Sequence, residues 1–140
     1  MKVRRKARAT ALQTLYELAC TRHGTEDVLG ERIVQAGLGE DAAAFTRTLV
    51  AGVLENARAL DRQIARHAPE FPLDQMAVID RAILRIALWE AGVARITPLK
   101  VAINEAVELA KDYGSDSAPR FINGVLGAVA PTLTTEEKAA

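Results

Sequence analysis

The chain has 140 residues with 18 basic and 18 acidic side chains, so a net charge of zero excludes a global field that would attract nucleic acid. Its 49% apolar content predicts a single folded domain over residues 1–140, and the lone Cys20 excludes an intramolecular disulfide. The sequence has no apolar run of membrane-spanning length and no signal-peptide pattern, which predicts a cytoplasmic protein without membrane contact.

Every long segment has apolar residues at helical spacing, which predicts an all-α fold. The first helix is expected from about Arg5 to Arg22. The second is expected over 25–36, with Thr25 or Asp27 as its cap and an interruption at Gly37-Leu38-Gly39.

A long third helix is expected from near Asp41 to just before Pro69, because one apolar face continues through this segment. That face consists of Phe45, Leu49, Val53, Ala57, Leu60 and Ile64. The next helix, expected over 73–91, is apolar nearly all round and should contact neighbours on several sides. The turn from Pro69 to Pro72 is expected to divide two helical subbundles.

The fifth helix is expected to begin at Thr97 and Pro98, which suit a cap and a first turn, and to end at Gly114 in the left-handed conformation. A sixth helix should follow a cap at Asp116 or Ser117.

This last helix is expected to be broken by Pro131, with a flexible tail from about residue 132. Gly124 and Gly127 inside it suggest a close approach of a neighbouring backbone. The predicted fold is therefore all-α, with about six to seven helices in two packed antiparallel subbundles.

We find no catalytic constellation in the sequence. His23 and His67 lie outside any motif that would pair them with a nucleophile. The acidic residues Glu105, Glu108 and Asp112 recur along one helix, but no Glu-x-x-His segment accompanies them, and such carboxylates are mostly solvated. We therefore expect no enzyme activity, no cofactor and no metal site.

The strongest local charge lies at the N-terminus. Five cations cluster around the first turns of the first helix: Lys2, Arg4, Arg5, Lys6 and Arg8. A helix N-terminus adds positive potential, and Tyr16 could offer a ring for base stacking. The cluster is either an ordinary solvated helix start or a surface for RNA phosphates.

A second candidate RNA surface lies where the last two helices meet. Its residues are Lys111, Asp116, Arg120 and Phe121. Cations, a carboxylate and an aromatic ring could bind exposed bases of a single strand. Spacing alone favours the other interpretation, a capped helix-helix turn with Phe121 in the core.

A third candidate surface lies on the apolar fourth helix. Arg81, Arg85 and Trp89 are spaced four residues apart, with Asp80 beside them. Either the arginines stack on Trp89 and pair with acids of the same chain, or the stripe binds a protein partner.

Several segments together resemble the NusB family of transcription antitermination factors, over nearly the whole chain. They are Arg4–Arg8, Leu12–Tyr16, Asp80–Ala87, Pro98–Lys111 and Arg120–Leu126. The resemblance implies a helical RNA-binding protein without catalysis, which helps RNA polymerase in an antitermination complex to read through terminators, particularly in ribosomal RNA operons.

The resemblance also implies two binding partners. Single-stranded boxA-like RNA would contact the N-terminal arginine-rich segment and the later surface around Phe121. A small ribosomal protein, called NusE in this role, would contact the helix that carries Asp80 and Trp89. Tyrosine is more usual in the family where this chain has Trp89.

Two alternatives come from other classes. One is a helical homodimeric interaction protein without an RNA role. The other is a detached N-terminal RNA-binding domain of a ribosomal RNA methyltransferase, although this chain has no room for the nucleotide-binding α/β domain of such an enzyme.

Overall fold

The structure, a computed structural model, describes residues 2–139, and of their side chains those of residues 2–133. The described residues form helices and no strand, which confirms the all-α prediction. Seven α-helices occur in this part of the chain: α1 Lys2–Cys20, α2 Thr25–Ala36, α3 Glu40–Glu55, α4 Ala57–His67, α5 Val78–Leu88, α6 Leu99–Tyr113 and α7 Ala118–Ala139. A 3-10 turn at Leu73–Gln75 precedes α5, and a π-helical turn at Trp89–Val93 follows it.

The chain divides into two compact units, one ending at Glu55 and the other beginning at Asn56. The expected division at the Pro69 to Pro72 turn is therefore wrong, and so is the single long third helix. Asn56 has φ −112° and ψ 11°, outside the α-helical region, and this residue separates α3 from α4.

The first unit is built on the contact of α1 with α3 and α2. Its core consists of small and branched apolar side chains: Ala7, Ala11, Leu12, Leu15, Val28, Leu29, Ile33, Leu49, Val50 and Val53. The buried hydroxyl of Thr46 on α3 lies 3.3 Å from the carbonyl oxygen of Ala7 on α1 and 2.8 Å from that of Ala42. The two helices therefore meet through hydrogen bonding as well as apolar packing.

Helix α2 has the predicted bounds but not the predicted cap. Gly24 occupies its N-cap position, with no capping side-chain bond. At its other end Gly37 has φ 64°, and the amides of Gly37 and Leu38 donate to the carbonyls of Val34 and Ile33. This pair of bonds is a Schellman motif, which favours glycine because its φ is positive.

The second unit buries large apolar side chains from α4, α5, α6 and α7. They include Leu60, Ile64, Ile83, Leu84, Ile86, Leu88, Leu109, Ile122 and Leu126. The helix predicted over 73–91 is interrupted, because Met76 and Ala77 adopt extended conformations with ψ 139° and 136°. The apolar α5 is nevertheless buried as expected.

Both predicted ends of the fifth helix need correction. The buried hydroxyl of Thr97 donates to Glu90 Oε1 at 2.6 Å, while Pro98 occupies the N-cap position of α6. Gly114 follows α6 with φ −96°, so it is not left-handed. Glycine is required here because there is no room for a side chain: a Cβ at residue 114 would lie 2.6 Å from Ala118 Cβ and 2.9 Å from the Ala110 carbonyl oxygen.

Pro131 does not end the last helix, because α7 continues to Ala139. The turn beyond the proline carries Leu133, which is buried and whose Cδ2 lies 3.1 Å from a Cβ built on Gly92. The predicted close approach at Gly124 and Gly127 is wrong, since nothing lies within 4 Å of a Cβ at either residue. The flexible tail from about residue 132 stays a prediction.

Candidate nucleic-acid interface

The N-terminal basic cluster lies on the first turns of α1. Arg4, Arg5 and Lys6 are exposed, whereas Arg8 is only 4% exposed. The Cζ atoms of Arg4 and Arg8 lie 4.2 Å and 5.5 Å from the centre of the Phe45 ring on α3. The structure therefore joins these two arginines to an aromatic residue that the sequence analysis assigned only to a core face.

Tyr16 lies further along α1 and is exposed. A ring that is partly exposed is accessible to a base, which an aromatic residue in the core is not. The chain begins α1 at Lys2, so the cations of the cluster surround the positive end of the helix. The first unit thus presents cations and an accessible aromatic ring on one helix.

The second unit contains a groove of about 660 Å³ beside the start of α7. Phe121 and Phe71 both line it, with ring centres 4.9 Å apart and planes at 70°. Phe71 is 51% exposed, and Arg120 also lines the groove. Phe121 is therefore half-buried at the groove. The sequence left open whether it lies in the core or on an RNA-binding surface, and its position in the structure is intermediate between these two.

Phe71 was missed in the sequence analysis. Its signal was its position: an aromatic residue between Glu70 and Pro72, in a turn rather than on a helix face. The other two predicted residues of this surface, Lys111 and Asp116, are exposed but do not line the groove. Lys111 Nζ lies 3.2 Å from Glu108 Oε1 on the same helix.

Asp80 also lines the groove, at the start of α5. Its partial burial raises the pKa of its carboxyl above the usual range for aspartate. Asp80 thus lies in the same groove as Arg120 and Phe121, although the sequence assigned it to a separate protein-binding surface. A half-buried carboxylate beside aromatic rings can accept hydrogen bonds from a bound ligand.

The other residues of the predicted partner surface make contacts or are buried within the second unit. Arg85 donates from Nε and Nη2 to the two carboxylate oxygens of Asp61, at 2.8 Å and 2.6 Å. Arg81 Nη1 lies 3.4 Å from the Leu73 carbonyl oxygen, and Trp89 is 8% exposed. For Arg85, the geometry matches the first interpretation, pairing with an acid of the same chain.

The described part of the chain contains neither a metal-binding cluster nor a helix that could span a membrane. In residues 2–133, no group of three or more His, Cys, Asp or Glu side chains is placed to hold a metal ion. Glu105 is buried rather than solvated. Over the described part of the chain, we find no helix with the length and apolarity needed to span a bilayer. The absence of catalysis and cofactors stays a prediction.

Comparison with known proteins identifies the family. A profile of the NusB family matches residues 5–131. The chain belongs to the NusB family. Among NusB-family relatives, the transcription antitermination protein NusB of Roseiflexus sp. (strain RS-1) is 51% identical over 129 residues, which are 91% of each chain. That of Chloroflexus aggregans is 44% identical over 138 residues, 97% of this chain and 92% of the relative.

Solved NusB structures share the fold. NusB of T. maritima is 29% identical, with a TM-score of 0.83 over 91% of this chain and 90% of that one. A crystal structure of antitermination factors NusB and NusE in complex with double-stranded RNA contains a chain that is 24% identical, with a TM-score of 0.85 over 94% of this chain and 98% of that one. The helical architecture described above is therefore that of NusB proteins.

Proposed function

We propose that this NusB-family protein is a transcription antitermination factor of the cytoplasm. It binds boxA-type single-stranded RNA together with the ribosomal protein NusE, and it promotes read-through in ribosomal RNA operons as part of an RNA polymerase antitermination complex. The observation that carries this proposal is the 51% identity to a transcription antitermination protein NusB over 91% of both chains. The action is assembly of a complex rather than catalysis.

The N-terminal surface is proposed to hold RNA phosphates. Arg4, Arg5 and Lys6 are exposed at the positive end of α1, where cations and the helix dipole act together. Tyr16 offers an exposed ring to a base. Arg8 belongs to the same cluster and lies close to Phe45, but at 4% exposure it has little surface for direct contact with RNA.

The groove in the second unit is proposed to take an unstacked base. Phe121 with Phe71 supplies aromatic surface, and Arg120 supplies a cation for the adjoining phosphate. Lys111 and Asp116 are exposed outside the groove, where they can contact neighbouring nucleotides. Bases that are splayed out in this way are the usual targets of sequence-specific RNA recognition.

NusE is proposed to bind the helix that carries Asp80, Arg81, Arg85 and Trp89. Asp80 is half-buried in the first turn of α5, where its carboxylate can accept a hydrogen bond from a partner. Arg81 and Arg85 are partly exposed and already bonded within the chain, so they would contact a partner with their remaining donors. Trp89 supports the helix from the buried side.

The test is a binding measurement with labelled boxA-type RNA. Fluorescence anisotropy is recorded for this RNA and a scrambled sequence at two salt concentrations, with and without purified NusE. We expect preferential, salt-sensitive binding to the boxA-type RNA that NusE strengthens. Equal weak binding to both RNAs would contradict the proposal, and sedimentation of the protein alone would then test the alternative of a homodimer without an RNA role.

A further inference from the structure

The ring of Phe45 is shared by two arginines of the basic cluster. Arg4 and Arg8 lie one helical turn apart on α1, and their Cζ atoms are 4.2 Å and 5.5 Å from the ring centre. Both distances are within the range of about 6 Å in which a guanidinium is attracted to an aromatic face. One side chain of α3 therefore lies against two cations that belong to the candidate RNA surface.

Phe45 is not simply a residue of the core. The core face of α3 is formed by Ala42, Thr46, Leu49, Val50 and Val53, all of them buried. Phe45 is instead half-buried at the edge of that face. Arg4, whose guanidinium lies nearer the ring, is exposed. The contact therefore lies at the surface, where RNA could reach it.

The ring has a rigid support. The next residue, Thr46, is fully buried, and its hydroxyl lies 3.3 Å from the carbonyl oxygen of Ala7 on α1. Ala7 lies between Arg4 and Arg8 on that helix. This hydrogen bond joins α1 and α3 directly beside the contact between the ring and the arginines. A site that must keep a fixed geometry requires such a support.

A guanidinium held against an aromatic face keeps its use as a phosphate donor. Its N–H groups lie in its own plane, whereas the ring attracts its face, so stacking does not consume the donors. An unrestrained arginine samples many rotamers, and part of this freedom is lost when it binds. A guanidinium that is already placed loses less of this freedom on binding a phosphate.

We propose that Phe45 is a positioning residue for RNA binding: its ring holds the Arg4 guanidinium in place to receive a backbone phosphate of single-stranded RNA. Arg8 lies near the same ring but is largely buried, so the proposed contact with the phosphate is assigned to Arg4. This inference rests on the proposed RNA-binding function and identifies a residue that acts through Arg4 rather than by touching the RNA.

A double-mutant cycle tests the inference. Affinity for labelled boxA-type RNA is measured for the wild type, Phe45→Leu, Arg4→Ala and the double variant, with thermal unfolding followed for each. We expect Phe45→Leu to weaken binding about twofold to fivefold, the strength of an exposed cation–π contact. In the Arg4→Ala background, Phe45→Leu should cause no further loss.

Two matched controls separate positioning from a general structural role. In a Lys6→Ala background, Phe45→Leu should weaken binding by its full factor, because Lys6 is two residues away from both Arg4 and Arg8 and therefore lies on a different face of α1. Phe45→Trp, which keeps an aromatic face and binds cations at least as well, should retain wild-type affinity. This second variant also covers the case in which Phe45→Leu does not fold.

The outcomes are distinct. An equal loss from Phe45→Leu with and without Arg4, or a loss from Phe45→Trp as large as that from Phe45→Leu, would overturn the positioning role while RNA binding by the wild type stands. If the wild type itself does not prefer the boxA-type RNA, the proposed function fails first, and the positioning role fails with it.

Discussion

Arg85, which the sequence placed on a candidate partner-binding surface, pairs with an acidic residue of the same chain. Its guanidinium makes two hydrogen bonds to Asp61, and the two side chains are only 20% and 25% exposed. Paired bonds of this kind are stronger than single neutral ones, and partial burial limits their screening by salt. The pair joins α4 to α5.

Asp61→Ala is therefore expected to lower the free energy of unfolding by about 1.5–3 kcal/mol, the usual value of a hydrogen bond to a charged group. Urea denaturation at neutral pH measures it. Glu108→Ala is the matched control, because the Glu108–Lys111 pair is exposed and should change stability by less than about 0.5 kcal/mol. Equal effects of the two substitutions would contradict a structural role for the Arg85–Asp61 pair.

Asp80 gives a prediction about pH. Because burial raises its pKa in the folded protein, the charged carboxylate is disfavoured there relative to the unfolded chain. The cost is absent below the ordinary pKa of aspartate, grows as the pH rises toward the raised value, and is complete above it.

Asp80→Asn should therefore be more stable than the wild type at neutral pH, and the difference should shrink as the pH falls to the ordinary aspartate pKa. Urea denaturation of both proteins over this pH range measures the difference. A gap that does not change with pH would show that ionisation of Asp80 is not its cause.

The sequence identified the charged residues of the candidate site but not their contacts. Arg4, Arg5 and Lys6 are exposed as the prediction requires, because charges on the first turn of an amphipathic helix are solvated. The contacts of Arg8 with Phe45 and of Arg85 with Asp61 join different helices. Periodicity along one helix gives its faces but not which neighbour each face meets.

At the scale of elements, the α6–α7 junction depends on the small size of one residue. Gly114 lies where a Cβ would be 2.6 Å from Ala118 Cβ and 2.9 Å from the Ala110 carbonyl oxygen. Gly127, within α7, has open space around the same position. Substitution by alanine should therefore change the free energy of unfolding in opposite directions at the two glycines.

Gly114→Ala should lower the free energy of unfolding by about 1–3 kcal/mol, because the Ala118 methyl group and the Ala110 carbonyl must move to admit the new methyl group. Gly127→Ala should raise it by up to about 1 kcal/mol, since alanine favours a helix interior and meets no obstacle. Thermal or urea unfolding of both variants measures the signs. A stabilising Gly114→Ala would contradict the close contact.

The bounds of the elements were predictable where a local signal stops a helix. Helix α2 ends as expected because Gly37 supplies a positive φ. The break at Asn56 has no such signal, since apolar residues at helical spacing continue on both sides of it. At Pro131 a local signal predicted a helix end that does not occur. Burial of Leu133 beyond the proline favours continuation of the helix, although proline lacks the amide for a helical hydrogen bond.

At the scale of the whole molecule, zero net charge means that RNA binding must depend on where charges lie. Arg5→Ala and Arg66→Ala change the net charge equally, but Arg5 belongs to the basic cluster while Arg66 lies in the last turn of α4. Only a cation close to a phosphate releases a counterion when RNA binds.

Arg5→Ala should therefore flatten the dependence of log affinity on log salt by about 0.7, the value per contact for a single strand. Arg66→Ala should leave the slope unchanged. Anisotropy titrations of boxA-type RNA at several salt concentrations measure both slopes. Equal changes would indicate a response to net charge and would remove the N-terminal cluster from the RNA surface.

The π-helical turn after α5 has a consequence for the evolution of chain length. In it the Ala94 amide donates to the Trp89 carbonyl five residues earlier, at 2.8 Å, so this turn holds one residue more than an α-helical turn. Loss of one residue here would restore ordinary α-helical bonding in the turn. We therefore expect homologues to gain or lose single residues in this segment more readily than elsewhere in their helices.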